Sequence, residues 1–245
     1  MELKILGSSS SGNCYLFETE KECLILEAGV RLSQIKEALN FNISKVLGCF
    51  FTHEHADHSK YVKDLIATGI DCYSSQGTIE AIGLKSHRLH SLYPMARVEV
   101  GSFKVMPFKV KHDAKEPFGY LINHPEMGNT LFLTDSYFVE YKFPGLNNIL
   151  IEANYSDEIL EERINSGKIN PFVANRVKTS HMSLETLKDL LNANDLSAVN
   201  NIVLLHLSDG NSDAFAFASK ICKLTGKTVT VANKKMTINL NKLPF

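Results

Sequence analysis

Residues 51–58 read Phe-Thr-His-Glu-His-Ala-Asp-His, and this stretch decides how the sequence is interpreted. Its first two residues end an apolar run, residues 46–52, which has the length and composition of a β-strand. Residues 53–58 offer three imidazoles and two carboxylates, and such nitrogen and oxygen ligands suit zinc, manganese or iron. A loop at a strand end brings these groups to one point, whereas a helix would spread them around its circumference. We therefore predict a metal site in a loop, in preference to a polar surface loop that happens to hold histidines.

Residues 53–58 match the H-x-H-x-D-H motif, and on this ground the chain resembles the metallo-β-lactamase superfamily. The resemblance implies that His53 and His55 bind one metal ion, while Asp57 and His58 bind a second. It also requires, further along the chain, a histidine, a bridging Asp or Cys, and a final histidine, each at a strand end.

Three residues meet this requirement, each at or directly after the end of a predicted strand. His112 follows residues 108–111, Asp135 follows residues 131–134, and His206 follows residues 202–205. A histidine after a strand is by itself more often a surface residue, so the required order of the three residues favours ligation. The resemblance thus implies seven ligands for two metal ions, with Asp135 shared between them and an open position at each ion. We expect Zn²⁺, with Mn²⁺ as the alternative.

Three later segments narrow the resemblance. Ile-Glu-Ala-Asn at 151–154, Ser-His-Met-Ser at 180–183 and Leu-His-Leu-Ser at 205–208 are similar to the H-E-A-T, G-H-S-T and T-H-F-S segments of the tRNase Z branch. From the loop 7–13 to residues 206–211, the overall resemblance is to the bacterial YycJ/WalJ-type exonuclease group. Asn154 replaces the threonine of H-E-A-T and Ser180 replaces the usual glycine, so the chain departs from tRNase Z at both places.

The resemblance implies a metal-dependent hydrolase of phosphodiester bonds, of the 5′-to-3′ DNA exonuclease type. Two metal ions bridged by Asp135 would activate a bridging hydroxide for attack on phosphorus. The leaving alkoxide needs a proton, and His181, oriented by Glu152, is suited to supply it because imidazole titrates near neutral pH. We therefore count Asp57, as a metal ligand, together with Glu152 and His181 as catalytic residues.

Other functions stay open, because the motif is specific for the superfamily and not for one reaction. A cyclic-nucleotide phosphodiesterase is the first alternative. A β-lactamase or thioester hydrolase would leave Glu152 and His181 without a role. A metal-free binding module would leave the seven competent ligand positions unexplained.

Two weaker features concern the substrate. Residues 8–11, four serines, form either a phosphate cradle or a tight turn between strands. Lys109, Lys111 and Lys115 flank His112, where they either contact a nucleic-acid backbone or form a solvated face. The remaining histidines of loop-like sequence, for which we predict structural roles, are His87, His90 and His124.

The apolar pattern predicts strands followed by helices, twice over. Strands are predicted at residues 3–6, 14–19, 23–27, 46–52, 71–73, 97–111, 119–122, 130–134, 148–152, 201–206 and 229–231, and helices at residues 32–39, 76–84, 157–164, 183–191 and 213–224, with a helical face at 61–66. This α/β layout is consistent with two β-sheets packed between helices. The resemblance implies the metallo-β-lactamase fold, an αββα sandwich of two mixed β-sheets between helices.

Length and composition fit one globular domain over residues 1–245, with 44% apolar and 22% charged residues. The net charge of −1 gives no strong field toward a polyanion, although a local basic stripe would suffice for a nucleic-acid or nucleotide partner. The five cysteines lack C-x-x-C spacing, and we predict buried free thiols. No signal peptide or run of ~20 apolar residues is present, which predicts a cytoplasmic protein without a membrane span. A homodimer is compatible with the sequence.

Overall fold

The structure, a computed structural model, describes residues 1–243. The strands in this range are β1 (Glu2–Gly7), β2 (Cys14–Glu18), β3 (Cys23–Leu26), β4 (Val46–Phe50), β5 (Cys72–Ser75), β6 (Leu89–Leu92), β7 (Val98–Val100), β8 (Phe103–Lys109), β9 (Phe118–His124), β10 (Gly128–Leu133), β11 (Leu146–Glu152), β12 (Asn201–Leu205), β13 (Thr228–Val231) and β14 (Met236–Asn239). The helices are α1 (Leu32–Ala38), α2 (Ala56–Ser59), α3 (Val62–Ala67), α4 (Gln76–Ile82), α5 (Asp157–Asn165), α6 (Pro171–Ser180), α7 (Leu184–Ala193) and α8 (Ala214–Thr225).

The chain forms two compact units. The first contains Met1–Lys109, Ala114–Gly128 and the C-terminal stretch from Asn233. The second contains Val110–Asp113 and Asn129–Ala232. The single domain over residues 1–245 stays a prediction.

The first unit contains a mixed sheet in the order β14-β1-β2-β3-β4-β5-β6. Its first four strands pair antiparallel, and β3 to β6 pair parallel. One face of the sheet packs on α1 and α3, where Ile35 and Val62 join a buried cluster with Leu16, Ile25 and Phe51. This packing fixes the end of β4, from which the histidine motif continues.

A second mixed sheet has the order β13-β12-β11-β10-β9-β8-β7. Strands β10 to β13, which belong to the second unit, are parallel. Every residue of β11 is buried, as expected for an inner parallel strand that is covered on both faces. Because the chain runs the same way in these strands, their carboxyl ends meet at one edge of the sheet.

Helices α5 and α6 pack together in the second unit. Leu160 of α5 and Ala174 of α6 are buried in one small apolar cluster with Tyr155. Helix α6 begins with Asn170 as N-cap, whose side chain accepts a hydrogen bond from the Phe172 backbone at 2.8 Å, and with proline at the next position. It ends at Ser180, so it places His181.

The sequence predicted the five helices α1, α4, α5, α7 and α8 with ends correct to within two residues. It did not predict α6, β6 or β14. Four cysteines are buried free thiols as predicted, but Cys222 is exposed because it lies on the outer face of α8. Among residues 1–243, no helix has the length and apolar character needed to cross a membrane.

Candidate metal centre

The histidine motif of the first unit begins where β4 ends and continues into a helical turn. His55 is the N-cap of α2, while Asp57 and His58 lie within it. The prediction of a loop was therefore wrong for the last two residues. The four motif side chains are still not scattered around a helix. Helix α2 is a single turn, and His53 and His55 lie in the extended segment before it.

The imidazoles of this motif converge. Nε2 of His53 lies 3.0 Å from Nδ1 of His55, and the rings of His53 and His58 have centroids 4.2 Å apart. Nε2 of His58 lies 3.2 Å from a carboxylate oxygen of Asp57. Imidazole nitrogens and a carboxylate are ligand types that suit zinc or manganese, so the motif can contribute ligands to a divalent cation.

Buried polar residues hold these rings in place. Nδ1 of His53 lies 2.8 Å from the Thr52 hydroxyl. Nδ1 of His58 faces the fully buried carboxylate of Glu27 at 3.4 Å, while Asn13 lies 3.0 Å from its Nε2. A carboxylate behind one ring nitrogen fixes the orientation of the ring, and the Asn13 amide supports its other edge.

The serine loop at residues 8–11 folds as a turn. Gly12 donates its backbone N–H to the Ser9 carbonyl at 2.9 Å, and the Ser9 and Ser11 hydroxyls lie 2.7 Å apart. The turn leads to Asn13, whose backbone donates to the Asp57 carbonyl at 2.8 Å. Gly29 allows this approach, because a Cβ there would lie 1.8 Å from the Asp57 carbonyl oxygen.

In the second unit, three polar residues lie at the carboxyl ends of adjacent parallel strands. Asp135 follows β10, Glu152 ends β11, and His206 follows β12. The strand register pairs Leu133 with Ile151 and Glu152 with Leu205, so the three side chains are brought to one place by the sheet itself. This is the edge where open parallel sheets carry functional groups.

His181 completes a tight cluster with these three residues. One ligand atom from each of the four lies within 4.8 Å of the others. Nδ1 of His181 lies 2.7 Å from Oε1 of Glu152 and 3.1 Å from Oδ1 of Asp135. Nδ1 of His206 lies 3.3 Å from the same two oxygens. Two carboxylates and two imidazoles at these distances also fit a divalent cation.

Glu152 organises the cluster. Its side chain is fully buried, and its Oε2 accepts backbone hydrogen bonds from Ser136 at 3.1 Å and Met182 at 3.0 Å. Its Oε1 is left for the two imidazoles. The carboxylate thus links the loop after β10 to the start of α7.

The charges of the cluster are coupled. Burial alone would raise the pKa of Glu152, but the charge of His181 and its hydrogen bond hold the pKa below its ordinary value. Burial alone would lower the pKa of His181, but the charge of Glu152 and the hydrogen bonds to Asp135 and Glu152 raise it to about 10. Each charge thus stabilises the other, the carboxylate of Glu152 and the protonated ring of His181.

His112 lies close to the carboxyl end of α6. Its Nδ1 lies 2.7 Å from the Ser180 carbonyl, to which it donates a hydrogen bond. Burial lowers the pKa of His112, which keeps the ring in the neutral form that binds metal ions. Asp113, the next residue, accepts hydrogen bonds from Arg176 of α6 at 3.1 Å, and this pair ties the His112 segment to the helix.

The backbone is unusual at two of the candidate ligands. Asp135 has φ of 45° and His206 has φ of 52°, in the left-handed region that residues other than glycine rarely adopt. At His206, Asn154 donates its side-chain N–H to the backbone carbonyl at 2.9 Å. Such conformations cluster at functional sites, where the surrounding structure compensates for the strain.

Each predicted residue lies in one of the two units. The first unit holds His53, His55, Asp57 and His58, and the second holds His112, Asp135, Glu152, His181 and His206. The assignment of seven of them as metal ligands stays a prediction. The supporting residues Glu27, Asn13 and Arg176 were not identified from the sequence, where only the polar end of the β3 run gave a signal for Glu27.

The comparison with known proteins addresses the family. The sequence profile of the metallo-beta-lactamase superfamily matches residues 9–71. The metallo-beta-lactamase fold protein YhfI from Bacillus subtilis superposes with a TM-score of 0.73, covering 97% of this chain and 99% of that chain at 13% identity.

The chain has the metallo-β-lactamase fold.

The predicted fold class, with its two mixed sheets flanked by helices, is thereby confirmed. The chain is similar to Exodeoxyribonuclease WalJ of Streptococcus pneumoniae, at 27% identity over 223 residues that make up 85% of this chain and 82% of that protein. It is 29% identical over 174 residues to Exodeoxyribonuclease YycJ of Bacillus anthracis, 65% of each chain. The predicted resemblance to the YycJ/WalJ group is confirmed.

Proposed function

We propose that this protein is a nuclease that hydrolyses phosphodiester bonds of DNA from the 5′ end with the help of two divalent metal ions. The observation that carries the proposal is the Glu152–His181 pair, 2.7 Å apart and lying beside Asp135. An imidazolium oriented by a buried carboxylate is a proton donor next to a candidate metal centre. Alkoxide leaving groups, which phosphodiesters have, need such a donor.

The exonuclease relatives support the choice of phosphodiester bonds and of DNA. We assign His53, His55 and His112 to one ion, Asp57, His58 and His206 to the other, and Asp135 to both. Zn²⁺ is our first choice for both ions because imidazole and carboxylate ligands suit it, with Mn²⁺ as the alternative. When bound, the two ions would supply an activated hydroxide and neutralise negative charge on the phosphate.

The side chains around the ions have separate roles in this mechanism. Glu152 keeps Nδ1 of His181 as a hydrogen-bond donor and so directs Nε2 of the ring outward as the proton donor to the leaving oxygen. Asp57 is held by Asn13, which donates to its carboxylate at 3.2 Å, and so presents its charge in a fixed direction. Lys109, Lys111 and Lys115 are exposed and available for contact with phosphates.

A cyclic-nucleotide phosphodiesterase is the second candidate, because Glu152 and His181 would serve the same leaving-group chemistry there. A β-lactamase reaction would leave Glu152 and His181 without the role that we assign to them. The partner we propose is therefore a nucleic acid, and a homodimer stays a prediction.

The test is a panel of substrates given to the metal-loaded protein. It contains single- and double-stranded DNA and RNA labelled at either end, cyclic mononucleotides and the lactam nitrocefin. We expect mononucleotides released progressively from 5′-labelled DNA, with little or no turnover of nitrocefin. Cleavage of cyclic nucleotides with DNA and RNA left intact would contradict the proposal and favour the second candidate.

A matched pair of variants distinguishes this activity from that of a contaminating nuclease. His181→Ala removes the proposed proton donor, while His87→Ala changes a histidine on the surface of the first unit. We expect the first variant to lose DNA cleavage and the second to keep it. Equal activity of the two variants would assign the cleavage to another protein.

A further inference from the structure

Two exposed aromatic side chains follow Asp135 of the second cluster in the sequence. Asp135 and Ser136 are buried, whereas the next two residues, Tyr137 and Phe138, are 39% and 48% exposed. Three virtual bonds of ~3.8 Å separate the Cα atoms of Asp135 and Phe138, so the rings belong to residues within ~11 Å of a proposed ligand. We call Tyr137 and Phe138 the aromatic pair.

Hydrogen bonds hold the backbone of the aromatic pair in place. Tyr137 donates its N–H to the Lys111 carbonyl at 3.0 Å, and the Ser136 hydroxyl donates to the Phe138 carbonyl at 2.9 Å. Lys111 in turn donates its N–H to the Ser136 hydroxyl at 3.2 Å. The loop after β10 is thus fastened to the residue that precedes His112. Rings on a fixed backbone form a prepared surface, since little further ordering is needed when a ligand binds.

The charge next to the pair suits a nucleotide. The Lys111 side chain is half exposed, and its ammonium group lies 3.2 Å from the carboxylate of Glu140, which is itself exposed. A surface ion pair of this kind is weak and exchanges easily. A phosphate that approaches the pair would therefore find a cation within reach.

The size of the patch decides against a protein partner. A stable protein interface buries ~800 Å² on each side, far more than two partly exposed rings provide. A nucleobase matches them in size, and stacking of a base on an aromatic side chain is worth ~1–3 kcal/mol. Every base has a flat face, so such a contact suits an enzyme that must accept any sequence.

We infer that Tyr137 and Phe138 stack against the base of the nucleotide next to the bond that is cut. This inference rests on the proposed nuclease function and adds a substrate contact to it. The pair holds the base while the phosphodiester enters the metal centre, so it contributes to binding and not to the chemical step.

The test compares two oligonucleotides that differ only at the terminal nucleotide of the cleaved end, which carries either thymine or an abasic tetrahydrofuran residue. The wild-type protein should cleave the thymine end with a kcat/KM about ten- to a hundredfold higher, as stacking of one base predicts. The double variant Tyr137→Leu/Phe138→Leu keeps apolar bulk but loses the rings. It should cleave both ends at the rate that the wild type shows for the abasic end.

Binding gives a second readout that needs no turnover. An oligonucleotide ending in 2-aminopurine loses fluorescence when its base stacks, so we expect the metal-free wild-type protein to quench it and the double variant not to. Phe215→Leu, which removes a ring that is 85% exposed on α8, should behave as the wild type in both assays. Tyr137→Phe keeps the ring and should keep the preference.

Three results would overturn the inference. They are a wild-type protein that does not distinguish the two ends, a double variant that still does, and a double variant slowed equally on both. A wild-type protein that cleaves neither oligonucleotide, but hydrolyses cyclic nucleotides, would instead remove the proposed function.

Discussion

Glu152→Gln separates the orienting role of this carboxylate from its structural role. The glutamine amide oxygen can still accept the backbone N–H groups of Ser136 and Met182, which lie 3.1 and 3.0 Å from Oε2. The amide nitrogen would then face Nδ1 of His181, so two donors would meet where a carboxylate now accepts a hydrogen bond at 2.7 Å. The fold should persist while His181 loses its orientation.

The loss of activity expected for Glu152→Gln follows from the hydrogen bond between Glu152 and His181. A hydrogen bond to a charged group contributes ~1.5–3 kcal/mol, which corresponds to a loss of about 10- to 150-fold in kcat. Glu152→Ala should be different, because it leaves two buried backbone N–H groups without an acceptor at ~1–3 kcal/mol each. The alanine variant should therefore lose about 2–6 kcal/mol in the free energy of unfolding, and the glutamine variant much less.

Steady-state kinetics on DNA and on bis(p-nitrophenyl) phosphate distinguish the mechanism. The second substrate has a leaving group that departs as a stable phenolate and hardly needs a proton, so Glu152→Gln should slow it little. Glu158→Gln, the same change on the exposed surface of α5, should alter neither rate. If Glu152→Gln slows both substrates equally, or releases metal, Glu152 serves the metal centre and the assignment of His181 as proton donor fails.

Three further predictions follow the same logic. His181→Ala should lower kcat on DNA by ~10²–10⁴-fold, with both metal ions retained by mass spectrometry and little effect on the phenolate substrate; release of a metal would make His181 a ligand. Metal analysis should find two ions per chain, both disturbed by Asp135→Ala, whereas His206→Ala should weaken chiefly the ion bound by Asp57; a stoichiometry of one after loading would contradict the ligand set. Lys109→Ala/Lys111→Ala should flatten the salt dependence of DNA affinity, and an unchanged slope would show that these lysines do not contact phosphates.

The clearest predictions from the sequence concerned polar residues that stand at the ends of predicted strands. Asp135, Glu152 and His206 each lie at or just after the end of an apolar run, and the parallel register of β10, β11 and β12 brings them together. The bends in the backbone at Asp135 and His206 leave no trace in the residue types, because neither residue is glycine.

The elements that were missed depend on contacts that a linear pattern does not show. Helix α6 carried start signals at Asn170 and Pro171, but its buried face is small, so its apolar periodicity is weak. Strand β14 pairs with β1 at the opposite end of the chain and is only partly buried. Glu27 was not identified because its partner His58 is distant in sequence and the resemblance assigned it no role.

The left-handed backbone at His206 has a consequence for engineering this chain. A non-glycine residue in this conformation costs about 1–2 kcal/mol, and a histidine tolerates it less well than an aspartate does. Glycine at this position would relieve the backbone cost, but it would also remove a buried ring that contacts Asp135 and Glu152 and a proposed metal ligand. The strain at His206 therefore cannot be removed by the usual replacement with glycine, and an engineered variant has to be stabilised at other positions.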